Sequence, residues 1–189
     1  MPAAFLFDID GTLVDSVDLH ARAWQKAFAH FGLDIPYEQV RSQIGKGGDQ
    51  LLPVFVPASE LESLGAEIEK YRGALFKREY LPRVRPFPRV RDLLARVKLG
   101  GHLVALASSA NADELAVYKD LARIDDLIDV ETSRDDVDCS KPCPDVFRVA
   151  LGRTGAAPAN AVVIGDTPYD AIAAGRAGLA AIGVLCVVR

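Results

Sequence analysis

Several things are scarce in this chain, and each scarcity removes a class of protein. Only three cysteines occur among 189 residues: Cys139, Cys143 and Cys186. So small and odd a number gives no disulfide framework, and no second Cys or His pair completes a zinc set. The expectation is reduced, structural thiols. Long apolar runs are missing too, and none approaches the ~20 residues of a membrane helix. Met-Pro-Ala-Ala-Phe leads straight into an apolar strand without a charged leader region, so a cytoplasmic protein without membrane contact is expected. Positive charge is also short. The 22 Lys and Arg against 26 Asp and Glu leave a net charge of −4, which argues against nucleic acid as a partner. Internal repeats and low-complexity tracts are absent.

What remains is an ordinary globular composition, 50% hydrophobic and 25% charged. The length suffices for one domain, or one with a small insert. The most informative stretch is Phe5-Leu6-Phe7-Asp8-Ile9-Asp10-Gly11-Thr12. On an extended strand, residues two apart share a face, so Asp8 and Asp10 can point into one pocket at the strand's carboxyl end. Two acids so close repel unless a cation or a shared proton sits between them. Gly11 permits a sharp turn whose exposed N–H groups suit an anion. The bland alternative is a strand ending in an acidic turn. Asp-x-Asp-Gly-Thr arises by chance in about two of a thousand chains of this length, which favours the chemical reading.

Asp15-Ser16 then offers an N-cap for a helix reaching about Phe31. Val17, Ala21, Trp24, Phe28 and Phe31 recur at helical spacing, and Gly32 is a stop. Residues 33–80 contain no convincing strand, and Leu61, Leu64, Ile68, Tyr71 and Leu75 mark a second long helix. The clustered Pro82, Pro86 and Pro88 read as a linker. Beyond it, helix and strand alternate. Strands are expected at 102–107, 127–132, 161–164 and 179–184, and helices at 90–99, 112–123, 144–153 and 168–176. The fold class is therefore α/β, a Rossmann-like parallel sheet with helices on both faces. The expected division is a core of residues 1–14 and 81–189 with an α-helical cap of residues 15–80.

Ligands of such sheets bind beyond the strands' carboxyl ends, so the other strands should deliver polar groups there. They do. One strand ends in Ser108-Ser109 and another in Gly165-Asp166-Thr167, with Asp170 in the next helix. Lys141 precedes Pro142 between them. Taken alone, Lys141 reads as a surface lysine and Ser108 as a helix cap. His20 and Trp24 share a helix face, where core packing competes with substrate contact. Gly45-Lys46-Gly47-Gly48 lacks the Gly-Lys-Ser/Thr of a phosphate loop; it is either a plain turn or a cap loop dipping into the site, with Asp49 and Gln50 as specificity candidates. Arg83, Arg85, Arg89 and Arg91 read as a solvated basic cluster.

The ordered set Asp8-x-Asp10-Gly11-Thr12, Ser108, Lys141 and Gly165-Asp166-x-x-x-Asp170 resembles the haloacid dehalogenase superfamily of phosphohydrolases across nearly the whole chain. Asp15, His20, Ala23, Trp24 and Leu106-Ala107-Ser108 are similar to its β-phosphoglucomutase and phosphoglycolate phosphatase branch. The resemblance implies Asp8 as nucleophile and Asp10 as general acid and base. It implies Mg²⁺ held by Asp8, the Asp10 carbonyl, Asp166 and Asp170. Lys141 and Ser108 would steady the phosphoryl group, with Gly11, Thr12, Ser109, Asn111, His20, Trp24, Lys46 and Asp49 facing substrate. The partner implied is a small phosphate ester, and the protein a monomer or weak homodimer.

Two departures from that pattern stand out. Ala110-Asn111 replaces the Ser-Lys pair of the mutase branch, and relatives usually continue past the fifth strand. A bare, apolar edge at 179–188 is expected to make the chain associate. The rival readings are a phosphosugar mutase, a dehalogenase, a phosphonate-cleaving enzyme using Lys46, and a non-catalytic binding protein. Asp10 and Asp166 have no use in a dehalogenase, Asp10 argues for ester hydrolysis over phosphonate cleavage, and no catalytic residue is missing.

Overall fold

A computed structural model describes residues 3–186. The apolar run at the start forms β1 (Ala4–Phe7), which lies at the centre of a five-stranded parallel sheet. Its neighbours are β4 (Leu103–Ala107) on one side and β6 (Ala161–Gly165) on the other. Outside these lie β5 (Val130–Thr132) and β7 (Ala180–Gly183). A strand buried on both faces must be apolar throughout, which is how β1, β4 and β6 read.

The pleat divides their side chains between two cores. Leu6, Ala105 and Val163 face α7 (Asp145–Thr154) and α8 (Pro168–Arg176), meeting Phe147, Ala150, Ala173 and Ala174. Phe7, Val104, Leu106 and Ile164 face α5 (Val90–Leu99) and α6 (Ala112–Ala122), meeting Leu94, Val97, Leu115 and Tyr118. The expected alternation of strand and helix is thus present, with bounds shifted by a few residues.

From residue 17 to residue 80 the regular elements are helical, as the lack of strand signals in 33–80 implied. The helices are α1 (Val17–His30), α2 (Tyr37–Arg41), α3 (Gly48–Phe55) and α4 (Ala58–Leu75), the last running into a π-helical turn, Phe76–Tyr80. Ala21, Trp24 and Phe28 on α1 pack against Val40, Leu51, Leu52 and Ile68 in a core of their own. The chain leaves and re-enters the sheet side by side. Here β2 (Val14–Asp15) pairs antiparallel with β3 (Arg85–Pro86), so the proline-rich linker contains a short strand that its composition concealed. Pro86 is tolerated because the ribbon has only two strands and Pro can sit on an edge.

Three further expectations need correction or limits. Ser16 stands at the N-cap position of α1 but makes no capping hydrogen bond; its hydroxyl donates to Asp10 instead. The hydroxyl proton goes to the carboxylate in a charge-assisted hydrogen bond. Cys139 and Cys143 are not free thiols but a disulfide. The Cys143 N–H donates to the Ser140 carbonyl at 2.9 Å, and this turn brings the two Cα atoms to 5.8 Å, within bridging range. The last strand is shorter than expected and forms an edge, with Ile182 and Leu185 exposed; residues 187–189 lie outside the described residues.

Candidate active site

The sheet delivers four acids and one lysine to its carboxyl edge. Asp8 follows β1 directly, and its N–H continues the ladder by donating to the Ile164 carbonyl at 2.9 Å. Two residues on, Asp10 is carried by a tight turn in which the N–H groups of Thr12, Leu13 and Val14 all donate to the Ile9 carbonyl. Gly11 closes that turn with φ +86°. A Cβ there would lie 2.1 Å from Asp166 Oδ2, so only glycine admits the acid from β6. Asp166 and Asp170 arrive from the β6–α8 turn, where Thr167 and Asp170 form a reciprocal capping box.

Lys141 is the buried counter-charge. It has no exposed surface, its ammonium donates to Asp8 Oδ1, and it lies 2.8 Å from Asp170 Oδ1 at ion-pair distance, off the direction of a hydrogen bond. The peptide between Lys141 and Pro142 is cis. Burial opposes the lysine's charge, but the Asp170 and Asp8 carboxylates outweigh it and hold its pKa above the ordinary lysine range. Thr12 Oγ1 sits between Asp8 Oδ2 and Asp166 Oδ1, at 3.2 and 3.3 Å.

One ammonium cannot balance three acids, two of them buried and Asp166 partly so. Burial drives the Asp8 carboxyl well above its usual range, and burial with the Asp170 charge pushes Asp166 up to about 7. One carboxylate oxygen from each of Asp8, Asp166 and Asp170 lies within 4.8 Å of the others, and among the described residues Asp170 Oδ1 accepts no hydrogen bond. An all-oxygen set with excess negative charge fits a hard divalent cation.

Asp10 is held differently. Its Oδ1 accepts from the Ser16 hydroxyl and lies 3.0 Å from His20 Nε2, which a carboxylate acceptor assigns as N–H donation. Burial opposes its charge, but His20 and Ser16 outweigh that and keep its carboxyl below the ordinary range. Two neighbouring acids are thus pushed in opposite directions.

Asp8 and Asp10 open onto a cavity of about 440 Å³ between sheet edge and helices. His20, Trp24, Lys46, Ser109 and Asn111, all chosen from sequence, line it. The glycine loop 45–48 does dip into the site, carrying Lys46, whose ammonium donates to Gln43 Oε1 and is pushed below its usual pKa by burial. The Ser109 hydroxyl is buried without a partner among the described residues, whereas Ser108, the serine expected at the site, is fully buried outside the cavity lining and accepts from the Ala110 N–H. Asn111 caps α6 by accepting from Glu114 N–H. Asp49 is outside the cavity lining; it accepts from Ser140 N–H at 3.0 Å and lies 3.4 Å from Arg134.

Sequence reasoning passed over Glu69, Arg72, Glu114 and Arg134, which also line the cavity. The Arg72 guanidinium covers the Trp24 ring and reaches towards Glu114, at 3.8 Å. Arg72 lies one residue from Tyr71 of the apolar stripe, and nothing in its spacing separates it from a solvated arginine.

Residues 5–184 match the family described as haloacid dehalogenase-like hydrolase. A phosphoglycolate phosphatase of Yersinia pestis is 32% identical, over 94% of this chain and 78% of its own. A pyrophosphatase, PpaX, of Bacillus velezensis is 28% identical, over 98% of this chain and 84% of its own. Among solved structures, a hydrolase from Pseudomonas syringae has a TM-score of 0.89 at 26% identity, covering 97% of this chain and 85% of that one.

Proposed function

This chain belongs to the haloacid dehalogenase-like hydrolases, and from that membership we propose that it is a Mg²⁺-dependent phosphatase cleaving a small organic phosphate monoester through an aspartyl-phosphate. The observation that carries the reading is the pairing of Asp8 with Asp10 at the mouth of one cavity, the first backed by Lys141 and the second by His20.

Asp8 is the nucleophile. Its carboxylate attacks phosphorus, and the ester oxygen departs with a proton from Asp10. Asp10 is ionised in the free protein, and the arriving phosphoryl dianion raises its pKa so that it can carry that proton. Once the alcohol has left, Asp10 takes a proton from water, which cleaves the acyl phosphate and restores Asp8. Lys141 offsets the charge on Asp8 and the phosphoryl oxygens throughout, while the Ser109 hydroxyl offers a further donor; the N–H groups of Gly11 and Thr12, expected to face the anion, are instead taken up by the Val14 and Ile9 carbonyls within the turn. Asp8, Asp166 and Asp170 would hold a divalent cation, which would supply positive charge to the same oxygens. The helices between 15 and 80 serve as a cap that selects the substrate.

The Yersinia relative is named for phosphoglycolate and the Bacillus relative for pyrophosphate, both small and both bearing a second anionic group. Lys46 pairs with no carboxylate among the described residues and suits such a group. Phosphate release from a panel of esters tests the reading. Asp8→Asn should fall to background with an unchanged circular dichroism spectrum, and Asp10→Asn should lose about a hundredfold or more. EDTA should abolish activity and Mg²⁺ restore it, with Ca²⁺ a poor substitute because it tolerates looser geometry. Wild-type turnover in Asp8→Asn would sink the mechanism. Conversion of a phosphosugar to its isomer without release of phosphate would favour the mutase alternative.

A further inference from the structure

The segment that carries Lys141 into the site is a closed covalent ring. The Cys139–Cys143 disulfide brackets Ser140-Lys141-Pro142, and the lysine inside it meets Asp8 and Asp170. Both cysteines are partly exposed rather than core residues. The helical insert lands on this same ring. Asp49 Oδ2 accepts from Ser140 N–H at 3.0 Å, and the Gln50 amide donates to Cys139 Sγ at 3.3 Å. The fit is close enough that a Cβ at Gly47 would lie 2.2 Å from Ser140 Oγ. One short ring therefore positions the buried lysine and forms the landing surface of the loop over the cavity.

We propose that Cys139–Cys143 is a redox-active disulfide, reducible by a dithiol, whose state sets how firmly Lys141 and the 45–50 loop are held. A thiolate of the dithiol attacks one sulfur, forms a mixed disulfide and releases the other cysteine as thiolate. The dithiol's second sulfur then displaces the first cysteine. Two electrons and two protons pass to the protein, and the dithiol leaves as its own disulfide. Opening the ring restores backbone freedom to residues 139–143. Ser140 N–H and Cys139 Sγ then no longer present a fixed surface to Asp49 and Gln50, and Lys141 loses part of its positioning. The reduced protein is the less active form. This effect on turnover rests on the phosphatase reading, whereas the thiol chemistry and the change in mobility do not.

The test compares the full chain, air-equilibrated or treated with dithiothreitol, by three readouts. Iodoacetamide labelling, located by mass spectrometry, should miss Cys139 and Cys143 before reduction and find both after it. Hydrogen exchange should rise on reduction in residues 138–147 and 45–52. The kcat/KM for p-nitrophenyl phosphate should fall by about tenfold, the scale of a modest misplacement of a catalytic group. The double variant Cys139→Ser, Cys143→Ser should match the reduced protein and ignore the dithiol. Labelling of both cysteines before reduction overturns the proposal, as does a disulfide that millimolar dithiol leaves intact. Reduction that alters neither exchange nor kcat/KM also overturns it, and the wild-type comparison decides this even if the double variant fails to fold. Exchange that responds as expected, in a protein that hydrolyses no phosphate ester in either state, rejects the phosphatase reading and leaves the redox site standing.

Discussion

The His20 ring lies flat on Phe76, with centroids 3.9 Å apart, while its Nε2 reaches Asp10 at 3.0 Å. The stack fixes the ring plane, and Phe76 opens the π-helical turn that follows α4, so the helical insert orients the Asp10 carboxyl at the sheet edge. The same nitrogen lies 3.1 Å from the buried Tyr118 hydroxyl on α6.

His20→Ala should therefore act on Asp10 through its ionisation. With the imidazole gone, the acid limb of the kcat profile, set by the ionised Asp10 that takes a proton from water in the second step, moves to higher pH, and kcat at neutral pH falls by about tenfold or more. A pH series on both proteins measures this. A profile lowered uniformly, with its acid limb in place, would show that His20 only packs.

Lys141→Met keeps most of the side-chain volume and removes the charge that faces Asp8 and Asp170. Breaking a buried pair costs about 3–5 kcal/mol because it leaves unpaired charge in the interior. Urea unfolding of the metal-free protein should register that loss, and saturating Mg²⁺ should recover part of it. An unchanged midpoint would mean that the acids simply take up protons when the lysine is gone.

Gly11→Ala strikes the cation site through geometry alone. Its Cβ would meet Asp166 Oδ2 at 2.1 Å from a backbone with φ +86°, so Asp166 must move or the turn must open. Mg²⁺ affinity, read by calorimetry, should drop by at least about tenfold, with Asp8 and Asp170 untouched. Wild-type affinity would show that Asp166 is not needed to hold the ion.

Stability should depend on pH with a definite sign. Burial and the Asp170 charge hold Asp166 at about 7, and burial raises Asp8 as well. Between the ordinary carboxylate range, about 4, and about 7, the folded state keeps protons that the unfolded chain has released. Metal-free protein is accordingly most stable at the acid end of that window and loses stability as pH rises through it. A divalent cation offsets the exposed charge, so the Tm difference between Mg²⁺-loaded and EDTA-treated protein should widen from about pH 5 to about pH 8. A difference constant across that range would contradict the charge assigned to this cluster.

Much of the molecule was legible in the chain because it is encoded locally. Phe5-Leu6-Phe7 alternates between two cores, and the pleat alone sends Leu6 one way and Phe7 the other. The carboxyl-end rule brings Asp8, Asp10, Ser108-Ser109, Lys141, Asp166 and Asp170 to one edge from the sequence alone, although it is Ser109 rather than Ser108 that lines the cavity. The helical insert was legible because no stretch of 33–80 alternates with period two.

Only the tertiary structure decided the rest, wherever a group had to choose among partners. Ser16 could accept from a helix N–H as a cap or donate to Asp10, and only the folded turn, by placing the Asp10 carboxylate within reach of its hydroxyl, decided for the second. Asp49 read as a substrate contact until the insert landed on the Lys141 loop and Ser140 claimed its carboxylate. Cys139 and Cys143 carried no pattern that told thiols from a disulfide; a single turn at Ser140 settled it by setting their separation. Pro86 looked like a linker residue until Val14, some seventy positions earlier, came alongside as β-strand partner. Periodicity and turn chemistry are properties of neighbouring residues and survive in a string of letters. Partnership between distant groups is fixed only by where the elements come to rest, because hydrogen bonds and ion pairs act over a few ångströms and no residue spacing records that distance.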